Sequence, residues 1–187
     1  MSGSPTPQRA DARRNRERLL AAARDAFTAP DAAPSLEGVA RAAGVGIGTL
    51  YRHFPTRDAL VEALYRNELE QVCASADELL ATLPADRALR AWMDRYADFV
   101  RTKHGMAGVL GGVLATQSAT GATRAAVNDA VAALLAAGTA DGTLRADVPA
   151  DDVTSGLVGV FLATAGTDRE TQAARLLDLL LAGLRPH

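Results

Sequence analysis

The sequence contains few of the residues from which metal and catalytic sites are usually built. Cysteine occurs once, at Cys73, so the 187-residue chain has neither a disulfide framework nor a cysteine cluster for zinc. Its histidines, His53, His104 and His187, are scattered, and no His-x-x-x-His pair, nucleophile elbow or P-loop is present. The sequence therefore predicts no metal site, no cofactor and no catalytic residue, and it argues against an enzyme.

Aromatic residues and long apolar runs are also scarce. Aromatic residues make up 4 % of the chain and hydrophobic residues 48 %, so Ala, Leu and Val must form most of the core, which favours closely packed helices. No run of about 18 apolar residues occurs, and no basic start leads into an apolar segment. We therefore expect a cytoplasmic protein with no membrane partner.

Charge is distributed unevenly along the chain. The net charge is −2, which by itself argues against a polyanionic partner. Residues 1–66, however, carry ten Arg and seven acids, a net charge of +3, and the remainder of the chain carries −5. This asymmetry is typical of a protein in which one module contacts phosphates and the other does not.

Apolar periodicity predicts an all-α chain of about nine helices after a disordered arm at residues 1–11. The helices are expected at about 12–27, 35–43, 47–54, 56–80, 87–104, 106–118, 123–138, 151–165 and 170–184. Four arginines near the start of the first helix oppose its dipole. Either these arginines form a solvated face, or a nearby phosphate removes the electrostatic cost of placing positive charge at this end of the helix.

The most informative stretch is residues 44–60, where two short helices flank a glycine turn. Ser35 is placed to cap the first of these helices, and Gly44 ends it. The second helix, at about 47–54, is dense in polar and aromatic side chains, and Pro55 ends it. This pattern predicts a helix-turn-helix motif at about 34–53, whose second helix enters the DNA major groove.

The spacing within the second helix separates core from contact residues. Leu50 and Phe54 share one face and are expected to pack inward, which leaves Thr49, Arg52 and His53 pointing elsewhere. Tyr51 is expected to donate to a phosphate, and Arg52 to bind guanine. Arg57, at the start of the next helix, is a predicted phosphate clamp, and Ser35 can cap its helix, bind a phosphate, or do both.

The stretch from Arg13 to Tyr65 resembles the DNA-binding domain of TetR/AcrR transcriptional regulators. The resemblance rests on the ordered pattern of Phe27, then Val39-Ala40, then Ala43-Gly44-Val45, then residues 48–54, and finally residues 57–60. By this resemblance the DNA-binding domain of the chain comprises residues 12–66, and the effector-binding and dimerisation domain comprises residues 67–187. The family commonly has Lys where this chain has Arg57.

The resemblance implies a homodimeric, all-helical protein that binds a palindromic double-stranded DNA operator and is usually released by an effector. It implies a DNA-backbone role for one set of residues: Ser35, Gly46, Thr49, Tyr51, His53 and Arg57. It implies that Ile47, Gly48 and Arg52 face the bases.

Large side chains within residues 67–187 are candidates either for core packing or for an effector pocket between helices. A small apolar or amphipathic effector fits them best. The candidate pocket residues are Trp92, Met93, Tyr96, Phe99, His104, Met106, Gln117 and Phe161.

The last two helices are the predicted dimer interface, because a helix that is apolar nearly all round must be buried on most sides. Two such helices from each subunit would form a four-helix interface with two-fold symmetry. The candidate residues are Val153, Leu157, Val160, Leu176, Leu177, Leu180 and Leu184.

The sequence thus predicts a DNA-binding regulator, with a ligand-released repressor as the main hypothesis. One alternative is a helical ligand-binding protein or enzyme with a vestigial DNA-binding head, which the intact Tyr51-Arg52-His53 segment disfavours. The other is a regulator of the same family that responds to a protein partner.

Overall fold

A computed structural model describes residues 7–28, 34–106, 117–165 and 170–186, and every regular element within these ranges is a helix. This confirms the all-α prediction. The described helices are α1 (Pro7–Thr28), α2 (Leu36–Ala42), α3 (Ile47–His53), α4 (Arg57–Leu80), α5 (Ala85–Gly105), α6 (Gln117–Asp141), α7 (Ala150–Ala163) and α8 (Glu170–Leu184).

Two predictions about the helices need correction or fall outside the described residues. Helix α1 begins at Pro7, so the prediction of a disordered arm is wrong for residues 7–11. Residues 1–6 are not among those described. The predicted helix at 106–118 lies mostly within the undescribed range 107–116, and the described ranges therefore contain eight helices.

The described residues belong to two compact units. The N-terminal unit contains the described residues up to Asn67, together with residues 101–106 at the end of α5. The C-terminal unit contains residues 68–100 and the described residues from Gln117 onward. The sequence did not predict that the end of α5 would group with the N-terminal residues.

The core of the N-terminal unit is formed where α1 packs on the helix-turn-helix. Leu19 and Leu50 are completely buried, and Phe54 is 2 % exposed, as the predicted inward face of α3 requires. Further buried residues complete this core: Leu20, Ala23, Phe27, Val39, Ala40, Leu60 and Leu64. Burial of these side chains fixes α3 against α1 and α2 and so leaves its opposite face free.

The turn between α2 and α3 depends on Gly44. Its φ angle of 66° lies in the left-handed region, which glycine adopts without the steric cost of a Cβ. The Gly44 N–H donates to the Arg41 carbonyl at 3.1 Å, and the Val45 N–H donates to the Ala40 carbonyl at 3.0 Å. These bonds satisfy the end of α2 and set the direction from which α3 starts.

The C-terminal unit is held by contacts between distant parts of the chain. The Trp92 Nε1–H donates to the Val72 carbonyl at 2.8 Å and joins α5 to α4. The Arg90 Nε–H donates to Asp178 at 2.6 Å and joins α5 to α8. Since both donors lie on α5, this helix is hydrogen-bonded to both α4 and α8.

No helix among the described residues is long and apolar enough to cross a membrane. Cys73 on α4 is half-buried, and burial together with the charge of Asp129 raises the pKa of its thiol. A raised pKa keeps the thiol protonated, so Cys73 behaves as a small apolar residue and not as a reactive thiolate.

Candidate nucleic-acid interface

The exposed face of α3 carries four neighbouring residues. Ile47 is 39 % exposed and Tyr51 44 % exposed, and Gly48 and Arg52 are also exposed. Their spacing places all four on one side of the helix, opposite the buried Leu50. The face offers apolar surface at Ile47, a phenolic hydroxyl, a guanidinium, and bare backbone at Gly48, so it presents groups suited to both base edges and phosphates.

Thr49 and His53 lie at the edges of this face and are half-buried. The ring of His53 lies 6.1 Å from that of Phe54 in a tilted arrangement. The sequence predicted that both would point away from the core, together with Arg52. The structure separates them: Arg52 is exposed, whereas Thr49 and His53 present only part of their side chains.

Ser35 and Gly46, the residues that directly precede α2 and α3, are both exposed. Ser35 caps α2, since its Oγ accepts a hydrogen bond from the Gly38 N–H at 3.0 Å. The exposed hydroxyl keeps its own hydrogen, which is available to a phosphate oxygen. Gly46 precedes α3 with an extended backbone, and a Cβ built there would meet nothing within 4 Å. The chain before α3 is therefore open to a close neighbour.

Arg57 is the first residue of α4 and is exposed. Its guanidinium carbon lies 5.8 Å from the centroid of the Phe27 ring, and Phe27 is 5 % exposed. A cation placed over an aromatic face is attracted by the ring. The predicted phosphate clamp is therefore attracted to an aromatic residue of α1, a contact that the sequence analysis did not predict.

The N-terminal unit contains a second cation of this kind, which sequence reasoning missed. The guanidinium carbon of Arg16 on α1 lies 5.5 Å from the centroid of the Phe54 ring. Phe54 is the residue that directly follows α3. The sequence signalled only a group of arginines near the start of α1. Which of them reaches an aromatic ring depends on how α1 packs against α3.

Four of the candidate pocket residues form one aromatic cluster in the C-terminal unit. Trp92 and Tyr96 are stacked with ring centroids 5.5 Å apart and an interplanar angle of 9°. Tyr96 also contacts Phe99 at 5.9 Å and Phe161 edge-on at 5.6 Å. Trp92, Tyr96 and Phe99 are buried, and Phe161 is half-exposed. The cluster is mainly core, and Phe161 is its accessible member.

The remaining pocket candidates are not part of this cluster. Met93 is completely buried in the C-terminal unit. Met106 is completely buried too, but it belongs to the N-terminal unit. The side chains of His104 and Gln117 lie outside the described part of the structure. The predicted polar lining of the pocket therefore stays a prediction.

The structure corrects part of the predicted dimer interface. Val153, Leu157, Leu177 and Leu184 are at most 3 % exposed within the single chain. They pack in the core of their own unit, so they have no surface left for a second copy. Val160, Leu176 and Leu180 are half-buried and keep part of their surface.

Large apolar side chains that are exposed on α7 and α8 mark the available surface instead. Leu162 is 73 %, Leu179 68 % and Val158 37 % exposed. Leu179 also lines a shallow groove of about 470 Å³ on α8, together with Gln172, Arg175, Leu176 and Asp178. We define Val158, Leu162 and Leu179 as the α7–α8 apolar face.

The geometry of the N-terminal unit defines a helix-turn-helix protein, and comparisons with known proteins identify its family. A family model described as "Bacterial regulatory proteins, tetR family" matches residues 19–64. A second model, "Transcriptional regulator SbtR-like, C-terminal domain", matches residues 84–186. The chain therefore belongs to the TetR family and is a DNA-binding transcriptional regulator.

Solved structures and a curated relative agree with this assignment. The chain is similar to the TetR transcriptional regulator SCO0520 from Streptomyces coelicolor, with 46 % identity, a TM-score of 0.82, and coverage of 91 % of this chain and 98 % of that one. A TetR regulatory protein from Mycobacterium vanbaalenii is 34 % identical, with a TM-score of 0.77 and coverage of 96 % and 100 %.

The curated relative is matched over a shorter length. The HTH-type transcriptional regulator SAR0097 from Staphylococcus aureus (strain MRSA252) is 28 % identical over 83 residues, which are 43 % of this chain and 44 % of the relative. This chain thus matches less than half the length of that protein. Regulators of this family are generally not enzymes, which agrees with the lack of a catalytic motif in the sequence.

Proposed function

We propose that this protein is a homodimeric repressor that binds a palindromic operator in the cytoplasm and is released when a small apolar or amphipathic molecule binds its C-terminal unit. The observation that carries the DNA-binding part is the exposed face of α3, on which Ile47, Gly48, Tyr51 and Arg52 lie opposite a fully buried Leu50. Selection of double-stranded DNA by the purified protein tests it directly and supplies the operator sequence.

The operator contacts divide into backbone contacts and base contacts. The base contacts come from Ile47, Gly48 and Arg52. The backbone contacts are made to phosphates by a second set of residues: Ser35, Gly46, Thr49, Tyr51, His53 and Arg57. Phosphate contacts position a protein on DNA without reading its sequence, and contacts to base edges supply the specificity. The two classes therefore give different results when they are removed.

Arg57→Ala is expected to weaken binding to all DNA sequences by a similar factor and to lower the salt dependence of log K by about one per protomer, because each phosphate contact releases counterions. Arg52→Ala is expected to relax preference at one position of each half-site and to cost roughly 1–3 kcal/mol there. Fluorescence anisotropy at several salt concentrations, with the selected operator and single-base variants of it, measures both effects. An unchanged salt dependence in Arg57→Ala would remove the clamp assignment.

The proposed dimer uses the α7–α8 apolar face. Exposed side chains as large as Leu162 and Leu179 leave apolar surface in contact with water unless a partner covers them. Gly159 and Gly183 lie on the same two helices, and a Cβ built at either would meet nothing within 4 Å. A second copy can therefore approach closely there, and its two-fold symmetry would match the two half-sites of a palindrome.

The proposed effector site is the aromatic cluster around Tyr96, entered at the half-exposed Phe161. A structural neighbour with 19 % identity is described as a SmeT–triclosan complex, so an apolar aromatic molecule is a reasonable first probe. Helices α4 and α5 each contribute residues to both units, so they provide continuous elements through which occupancy of the cluster can alter DNA binding. The effector acts through its different affinities for the two states, typically 1–3 kcal/mol of coupling.

Titration with a panel of apolar molecules that includes triclosan is expected to change the fluorescence of Trp92, the one Trp of the chain, and to release operator in parallel. Phe161→Ala should weaken ligand binding without lowering operator affinity in the absence of ligand. Phe99 is a poor test site, because removing a side chain that is 4 % exposed costs about 3–5 kcal/mol of stability. A ligand that binds stoichiometrically and leaves operator affinity unchanged would contradict the proposed switch.

A further inference from the structure

Residues 10–18 of α1 contribute no side chain to the core. Residues 10–18 are all exposed or half-exposed, and the buried stripe of this helix begins at Leu19. Four arginines lie in this stretch, at positions 13, 14, 16 and 18. Apolar burial does not account for these arginines, and their side chains are exposed to a partner at the surface.

Three of these arginines are already engaged along the same helix. Arg13 pairs with Glu17 at 3.5 Å, Arg14 pairs with Asp11, and Arg18 donates to the Asn15 side chain. Arg16 differs from them. Its guanidinium lies over the Phe54 ring, and no carboxylate among the described residues pairs with it.

The aromatic ring under Arg16 is buried and lies next to the DNA-reading helix. Phe54 is 2 % exposed and directly follows α3, and its N–H donates to the Leu50 carbonyl at 2.8 Å. The attraction of a cation to an aromatic ring uses none of the guanidinium N–H groups as hydrogen-bond donors, so they can still donate to an anion. Arg16 is therefore an exposed cation, oriented in advance and with its donors available.

Arg57 is held in the same manner on Phe27. The N-terminal unit thus has two exposed guanidinium groups that rest on buried aromatic rings, one at each end of the short segment from Phe54 to Arg57. Fixing a long side chain before binding lowers the entropy cost of using it. Two such cations beside a DNA-reading helix are suited to anions that repeat along a surface. The phosphates of a DNA backbone are anions of this kind.

We propose that Arg16 is a further phosphate contact of this protein, seated by Phe54, and that it binds the DNA backbone beside the recognition helix together with Arg57. The inference rests on the proposed DNA-binding function and adds a contact from α1 to it. It assigns the contact to one arginine of the group and not to the charge of α1 as a whole.

The test is the salt dependence of binding for Arg16→Ala, measured by anisotropy on the selected operator and on an unrelated duplex. Loss of one phosphate contact per protomer should lower the slope of log K against log salt by about 0.9 per protomer, so by about 1.8 for a dimer. Affinity should fall by a similar factor on both duplexes, because a phosphate contact carries no sequence information. Arg16→Lys, which keeps the charge, should retain most of the slope.

Arg13→Ala is the matched control, because it removes the same charge from the same helix at a residue that Glu17 already engages. Its slope should stay close to that of the wild-type protein. An unchanged slope in Arg16→Ala, or an equal loss in Arg13→Ala, would overturn the assignment to Arg16 while leaving DNA binding established. Failure of the wild-type protein to bind any duplex would instead overturn the proposed function.

Discussion

A Leu179→Glu variant is expected to be monomeric and to lose operator binding. Leu179 is 68 % exposed on α8, so a glutamate at this position is solvated in the single chain and leaves its fold intact. In the proposed dimer the same carboxylate would be buried without a partner, which costs several kcal/mol. A monomer contacts only one half-site, so it lacks the affinity that comes from occupying two half-sites at once.

Sedimentation velocity and operator binding, measured on the same preparation, test this expectation, and circular dichroism verifies the helical content. Ala136→Glu is the control, because Ala136 is an exposed position of α6, outside the α7–α8 apolar face. It should remain dimeric and bind operator like the wild-type protein. A Leu179→Glu protein that sediments as a dimer would place the interface on another surface.

Gly138→Ala is expected to destabilise the C-terminal unit strongly. A Cβ at this position of α6 would lie 2.4 Å from Leu144 Cδ1 and 2.8 Å from Leu144 Cβ. Leu144 has little room to move, because it is 2 % exposed and its own N–H donates to the Gly138 carbonyl at 2.9 Å. Overpacking of a core costs about 1–3 kcal/mol, which for a chain of this size lowers Tm by about 2–4 °C per kcal/mol.

Thermal unfolding of Gly138→Ala beside Gly121→Ala tests the steric origin of this effect. Gly121 lies on the same helix and is exposed, and a Cβ added there would meet nothing within 4 Å. Alanine at position 121 should therefore raise stability by up to about 1 kcal/mol through helix propensity. Equal and small effects of the two substitutions would show that Leu144 moves away at little cost.

The helix-turn-helix could be predicted from the sequence because its signals are local. The Ser35 cap, the left-handed turn at Gly44 and the spacing of Leu50 and Phe54 each act over a few residues, and each has its expected place in the structure. The start of α1 was mispredicted because residues 7–11 have no apolar periodicity, although they are helical in the structure. Periodicity detects a helix only where one of its faces is buried.

The apolar surfaces of the C-terminal unit could not be assigned in the same way. Six of the nine residues 176–184 of α8 are Leu, so the sequence does not distinguish Leu177, which is 1 % exposed, from Leu179, which is 68 % exposed. The difference arises from packing between helices: α7 lies against α8, where a Cβ on Gly156 would meet the Leu180 side chain at 3.3 Å. Four predicted interface residues proved to be core for this reason.

The sequence by itself determined that this chain is all-helical, that its N-terminal part contains a helix-turn-helix, and that it resembles TetR-type regulators. Only the tertiary structure decided which apolar residues of α7 and α8 remain exposed, and which arginines are held on aromatic rings. Arg16 and Phe54 are far apart in sequence, as are Phe27 and Arg57, and no local pattern specifies such a pair. A helix is encoded by hydrogen bonds and spacing within a few residues, whereas these contacts depend on how separate helices pack together.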